Sequence, residues 1–184
     1  MSIVFAICES VRPGESSVAE RACELLEGLE LAIPYTTRLP RSADDHGFVF
    51  ASRDVFERLV ASQEFLEYQN VFGNYYGTPR RCLQEAEGNS NDLLIKVDGR
   101  GVAQIKQKLP DAVSILVLHI SSGRHEHATG SIGGELLRHQ LQKASRLFQM
   151  QNADKFDHVV ANDALEETVN EVAAIIRSER SRRS

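Results

Sequence analysis

The chain of 184 residues is 42% hydrophobic and carries a formal net charge of −5, which allows a buried core in one domain with an inserted lobe. The acidic balance argues against an electrostatic nucleic-acid binder, which needs a net basic face to release counterions from phosphates. Three cysteines, Cys8, Cys23 and Cys82, have no CxxC spacing and cannot all pair, so the sequence points to a reducing, cytoplasmic setting and away from a disulfide framework or a zinc site.

Ile3 to Cys8 is an apolar run of strand length, too short for a membrane span and without the basic flank of a signal peptide. A loop, ESVRPGE, follows it, and then a helical pattern from Ser16 to Glu27 that stops at Gly28. Strand, loop and helix open a βαβ unit. Between Arg38 and Arg80 the texture becomes aromatic, glycine-bearing and β-prone around one amphipathic stretch, Asp54 to Ser62. Such an insertion predicts a substrate lobe, placed at 34–80. The apolar runs Leu93 to Asp98 and Ser114 to Ile120, with a helical stretch from Gly101 to Leu109 between them, repeat the opening unit and predict a parallel sheet covered on both faces. Ser121 to Gly134 is polar and holds four glycines, which predicts a mobile loop. Asp157 to Ala161 is the last strand candidate, and Thr168 to Arg177 a closing helix. The core thus comprises 1–33, 81–120 and 135–177, and 178–184 is a basic tail. The run Arg177 to Arg183 reads as a solvated helix end, where cations complement the helix dipole.

Arg38 and Arg41 flank Pro40 in the segment YTTRLPR, and planar guanidinium forks bind oxyanions bidentately. Alone, RxxR is a weak signal; followed by the turn GNYYGT, it points to a phosphate. Gly73 and Gly77 permit tight backbone around Tyr75 and Tyr76. His125 and His127 have no further ligand nearby except Glu126 and the distant His139, so they read as a solvated loop and no metal site is expected. No Ser, His and Asp arrangement forms a hydrolase nucleophile motif.

The stretch from Tyr35 to Arg80, continuing to about Asp163, resembles guanylate kinases. The resemblance implies an α/β fold of the P-loop NTPase type, with a parallel sheet flanked by helices, a small β-rich GMP-binding lobe at 34–80 and a lid at 121–134. It implies that Arg38, Arg41 and Tyr76 hold the phosphate of GMP and that Glu67, Thr78 and Asp98 read the guanine edge. Pro34 stands where the family has a serine on the base, and Phe48 where a tyrosine donates to the phosphate, after a deletion following Gly47. Each lost hydrogen bond to a charged group costs about 1.5–3 kcal/mol, so weakened GMP binding is expected.

The donor side departs further. A P-loop reads GxxxxGK followed by Ser or Thr, its backbone N–H groups wrapping the phosphates and its lysine neutralising them. Here Glu9 falls at the first glycine, Val11, Arg12 and Pro13 in the middle, and Glu15 at the lysine; Gly14 and Ser16 match. A carboxylate about 4 Å from a phosphate charge is repelled by about 4 kcal/mol at an effective dielectric of 20. Pro13 also removes a backbone donor. The lid segment keeps Arg124 and Arg138 but has Gln142 where a further arginine is expected to stabilise the transferred phosphoryl group. Lys96 stands where an acidic residue is often found, two positions before Asp98. These departures predict a catalytically inactive guanylate-kinase-like domain whose acceptor lobe binds GMP, another phosphorylated ligand or a phosphopeptide. The alternative is an active guanylate kinase using Mg-ATP, with Arg12 and Arg138 supplying the missing cations.

Overall fold

The computed structural model of the chain describes residues 2–9, 17–42, 45–118, 153–161 and 164–183. The sequence candidates Arg12, Gly14, Glu15, Ser16, Arg124, His125, His127, Arg138 and Gln142, and the lid at 121–134, lie outside the described residues. In chain order the elements are β1 (Val4–Cys8), α1 (Val18–Leu25), β2 (Leu29–Leu31), β3 (Tyr35–Thr36), β4 (Val49–Phe50), α2 (Arg53–Ala61), β5 (Phe65–Val71), β6 (Asn74–Pro79), α3 (Arg81–Gly88), β7 (Asp92–Lys96), α4 (Gly99–Lys108), β8 (Val113–Leu118), β9 (His158–Ala161) and α5 (Leu165–Arg183).

Five strands pair in the order β2-β7-β1-β8-β9, all parallel. β1 lies at the centre, with Ile7 opposite Lys96 on one side and Ile115 on the other. Strands covered on both faces read as continuous apolar runs rather than alternating ones, and this is why VFAIC, DLLIK and VSILVL are legible as strands. Phe5, Ile7, Leu94 and Ile115 pack on one face with Val18 and Ala22 of α1 and Val169, Val172 and Ile176 of α5. Val4, Ala6, Leu93, Ile95 and Leu116 pack on the other, with Ala86 of α3 and Val102 and Ile105 of α4. Each fully buried aliphatic side chain stabilises the fold by about 1.5–3 kcal/mol.

The inserted lobe is a second sheet in the order β4-β3-β6-β5. Its interior is aromatic: the Phe56 ring of α2 stacks between Phe65 at 4.5 Å and Tyr75 at 5.2 Å, geometry worth about 0.5–1.5 kcal/mol per pair beyond burial. Ser52 caps α2 by accepting from the Val55 N–H at 3.3 Å.

Several boundaries move. α1 starts at Val18 because Ser17 is its N-cap, joined to Glu20 in a capping box. The strand β2 and helix α3 have no counterpart in the sequence reading: β2 is three residues long, and only Cys82 and Ala86 of α3 are buried, too little for a visible period. The basic run is a helix end, as expected, with Arg177, Arg182 and Arg183 exposed; Arg180 departs from the solvated reading. α5 continues through Arg183, and Arg180 donates to Asp92 Oδ2 at 2.7 Å and to the carbonyls of Glu27 and Gly28 at 3.0 and 2.8 Å. Those carbonyls lie just past the end of α1, so the guanidinium satisfies acceptors that the helix leaves open. No described helix is long and apolar enough to cross a membrane.

Candidate acceptor and donor sites

The β5–β6 hairpin positions the acceptor residues. Phe72 and Gly73 have φ of 50° and 84° between the paired Val71 and Asn74, the two positive values that a two-residue hairpin of the type I′ class requires. At the other end the register passes from Phe65↔Pro79 to Glu67↔Thr78. The extra residue, Leu66, joins the main core, while Glu67 faces Thr78, the re-aiming that bulges produce. Gly77 is needed for a different reason from Gly73: a Cβ there would lie 2.8 Å from Tyr68 Cβ and 3.0 Å from the Glu67 carbonyl.

Glu67 is 3% exposed. Its Oε1 accepts from the Thr78 N–H at 2.9 Å and the Thr78 hydroxyl at 2.7 Å. Its Oε2 has no hydrogen-bond donor among the described residues and faces Gly101, where an added Cβ would sit 3.2 Å away. Burial pushes the Glu67 carboxyl pKa up, the Thr78 bonds pull it down, and the charge of Asp98 adds to the rise. Thr78 therefore orients the carboxylate with the hydroxyl that was expected to touch the base. Asp98 is the N-cap of α4, with Oδ1 accepting from the N–H groups of Arg100 and Gly101 at 3.0 Å each; its Oδ2 lies 3.6 Å from Arg100 and 2.8 Å from the Gln69 amide turned to donate. One helical turn thus carries both Asp98 and the glycine that leaves room for Glu67.

On the phosphate side, Arg38 donates from Nη1 and Nη2 to the two oxygens of Asp45 at 2.6 and 3.0 Å. Its guanidinium lies over the Phe48 and Phe50 rings, 4.6 and 5.2 Å from their centroids. Phe48 gives up a hydroxyl but holds the arginine by its face, a contact worth about 0.5–2 kcal/mol. Tyr76 meets Phe48 edge-on at 5.8 Å, and the hydrogen bonds to Asp45 push the Arg38 pKa up. Asp45 also accepts from the Arg41 N–H at 2.9 Å; the Arg38 bonds first, and this one second, hold its carboxyl down to about 2. The Arg41 guanidinium makes no hydrogen bond to another described residue. The sequence reading missed Asp45, whose only signal was an acid shortly after RxxR. Pro34 contributes its carbonyl, which accepts from Val49 N–H at 2.9 Å and joins β3 to β4.

On the donor side, Glu9 replaces a glycine but has a structural use. Its carboxylate accepts from the Ser17 hydroxyl and from the Val18 N–H, the latter at 2.9 Å, capping the first turn of α1. Lys96, at the end of β7, reaches the same turn, with Nζ 3.2 Å from Glu20 Oε1. Among the described residues, no three His, Cys, Asp or Glu side chains converge to hold a metal ion.

A parallel sheet with its central strand leading to α1, and a separate four-stranded lobe carrying arginines near a buried carboxylate, define an α/β protein of the P-loop NTPase type. A sequence model described as guanylate kinase matches residues 24–179, and the chain belongs to the guanylate kinase family. It is 35% identical over 189 residues to a guanylate kinase of Koribacter versatilis, covering 98% of this chain and 80% of that protein. It is 30% identical over 178 residues to a guanylate kinase of Escherichia coli, covering 93% and 85%. The crystal structure of guanylate kinase from Anaplasma phagocytophilum matches with a TM-score of 0.71 at 25% identity, covering 97% of this chain and 86% of that one.

These relatives overturn the expectation of an inactive domain. Proteins named guanylate kinase match this chain over 93–98% of its length at 30–35% identity, in favour of the active alternative. The expectation judged the loss of the loop lysine decisive, with Arg12 and Arg138 as the cations that could replace it. A cation from a neighbouring strand neutralises a phosphate equally well, because Coulomb attraction depends on distance and dielectric and not on chain position.

Proposed function

We propose that this protein is an active guanylate kinase, transferring the γ-phosphoryl group of ATP to GMP with Mg²⁺. The observation that carries the reading is the half-used Glu67 carboxylate, buried and pinned through one oxygen by Thr78 while the other has no described donor. A carboxylate in that state accepts from the paired N–H groups of guanine, and its burial makes a missing partner costly, so that adenine is rejected. Asp98, on the adjoining turn, faces the same base. Arg38, Arg41 and Tyr76 take the α-phosphate of GMP, Arg38 exchanging Asp45 for phosphate oxygens. The lobe thereby orients the acceptor phosphate for in-line attack on the γ-phosphorus, and positioning of this kind is the main contribution a protein makes to phosphoryl transfer. Mg²⁺ would arrive with the donor nucleotide as Mg-ATP and would lower the charge of its phosphates.

The test is ADP formation from Mg-ATP with GMP, run beside an Arg41→Ala variant purified identically. Turnover that depends on GMP and falls about 10- to 100-fold in kcat/KM for GMP in the variant is the expected result. Negligible turnover in the wild type, or equal turnover in both proteins as a contaminating host kinase would give, would overturn the assignment.

A further inference from the structure

We propose that Lys96 supplies the ammonium group that neutralises the β- and γ-phosphates of the donor nucleotide, in place of a lysine in the β1–α1 loop. The proposal rests on the guanylate kinase reading above and names the cation that reading lacks. Parallel pairing sets Ile7 of β1 opposite Lys96 of β7, and the Val97 N–H donates to the Ile7 carbonyl at 3.0 Å. Lys96 therefore stands at the carboxyl end of the sheet, beside the strand from which the loop to α1 departs. Side chains alternate along a strand, so Lys96 leaves β7 on the face of Leu94, which packs with Val18, Ala19 and Ala22 of α1. Its Nζ ends 3.2 Å from Glu20 in the first turn of that helix, the place to which a P-loop delivers its phosphates and its lysine.

In sequence, the charges of the loop and of β7 are exchanged relative to the motif. The loop holds Glu15 at the lysine position, and β7 holds Lys96 where an acid is often found. In sequence Lys96 offsets the charge reversed at Glu15, while the Glu9 carboxylate, which caps the same turn of α1, is an anion that the donor phosphates must displace. The Lys96 to Glu20 contact does not commit the ammonium elsewhere: the side chains are 39% and 50% exposed, and such pairs are weak. Lysine moves a point charge on a flexible four-carbon stem, and phosphate oxygens carry more charge than the one carboxylate they would displace. In the transfer, an oxygen of the GMP phosphate forms a bond to the γ-phosphorus as the bond from that phosphorus to the bridging oxygen of ADP breaks. Lys96 forms no covalent bond and keeps its proton; it offsets charge on the leaving ADP.

Lys96→Met is the direct test, read by steady-state kinetics and by calorimetric titration with Mg-ATP. The expected result is a fall of about 100-fold in kcat/KM for ATP and weaker Mg-ATP binding, with KM for GMP and the melting temperature unchanged. Lys96→Glu should be worse, and adding Glu15→Lys to it, which returns both charges to the motif's arrangement, should recover at least about tenfold. Wild-type ATP affinity and kinetics in Lys96→Met would overturn the proposal, as would loss of ATP binding in Arg12→Ala alone. If the wild type binds Mg-ATP without turning over GMP, the kinase reading fails and the titration of Lys96→Met still decides the role of Lys96. If it binds no Mg-ATP, both are overturned.

Discussion

Asp45 closes a two-point ion pair on Arg38, at 2.6 and 3.0 Å, with side chains only 14% and 10% exposed. The arginine proposed to take the GMP phosphate is thus already held by an anion of the same chain. Substrate binding is an exchange of carboxylate for phosphate and not a simple addition. Asp45→Asn should lower KM for GMP about three- to tenfold, since a neutral amide competes less well for a guanidinium, while kcat stays within about twofold. A higher KM would instead mean that Asp45 positions Arg38.

The same pair has an acid signature. The folded pKa of Asp45 is held to about 2, below the ordinary 3.8. A depressed carboxylate contributes stability that is fully present above the ordinary value and is lost as pH falls through the folded one. The melting-temperature difference between wild type and Asp45→Asn should therefore be constant above about pH 4 and close between 3.8 and about 2. A difference that persists unchanged at the acid end would show that the pair is not its source.

Glu67 has the opposite sign. Burial raises its folded pKa, so its charged form costs stability at neutral pH, and that cost is relieved as pH falls through the raised value. Glu67→Gln keeps an acceptor for Thr78 and should be as stable as the wild type or more so at pH 7, with a flatter pH profile. Its kcat/KM for GMP should drop about 10- to 100-fold, and its preference for GMP over AMP should shrink. Unaltered discrimination would remove Glu67 from the base site.

Gly101→Ala separates packing from binding. The new Cβ would stand 2.8 Å from Val97 Cβ and 3.2 Å from Glu67 Oε2, costing about 1–3 kcal/mol in chemical unfolding and raising KM for GMP by displacing the carboxylate. Gly88→Ala is the comparison: nothing lies within 4 Å of its added Cβ, and stability should be unchanged or raised by up to about 1 kcal/mol.

Arg180→Ala should cost about 2–3 kcal/mol of unfolding free energy measured by chemical denaturation, because Asp92 loses its ion pair and the Glu27 and Gly28 carbonyls lose their donor. KM for GMP should not move, since Asp92, Glu27 and Gly28, which Arg180 holds, lie outside the acceptor lobe.

The apolar runs around Phe5, Leu94 and Ile115 disclosed the parallel sheet without any structure, because a strand covered on both faces must be apolar throughout. Gly73 was also legible, since a positive φ depends on its own residue, whereas Gly77 answers to Tyr68 and Glu67 across the hairpin. The remaining features depend on partners brought together by the fold. Which oxygen of Glu67 is spent was decided by the bulge at Leu66 that sets Glu67 opposite Thr78, and no residue letter encodes that register. Likewise, nothing in sequence joins Lys96 to Glu20, 76 residues apart in the chain; the pairing of β7 with β1 does. Judged along the chain, the loop after β1 reads as stripped of its cation. In three dimensions a cation stands on the next strand, because electrostatic attraction acts through space.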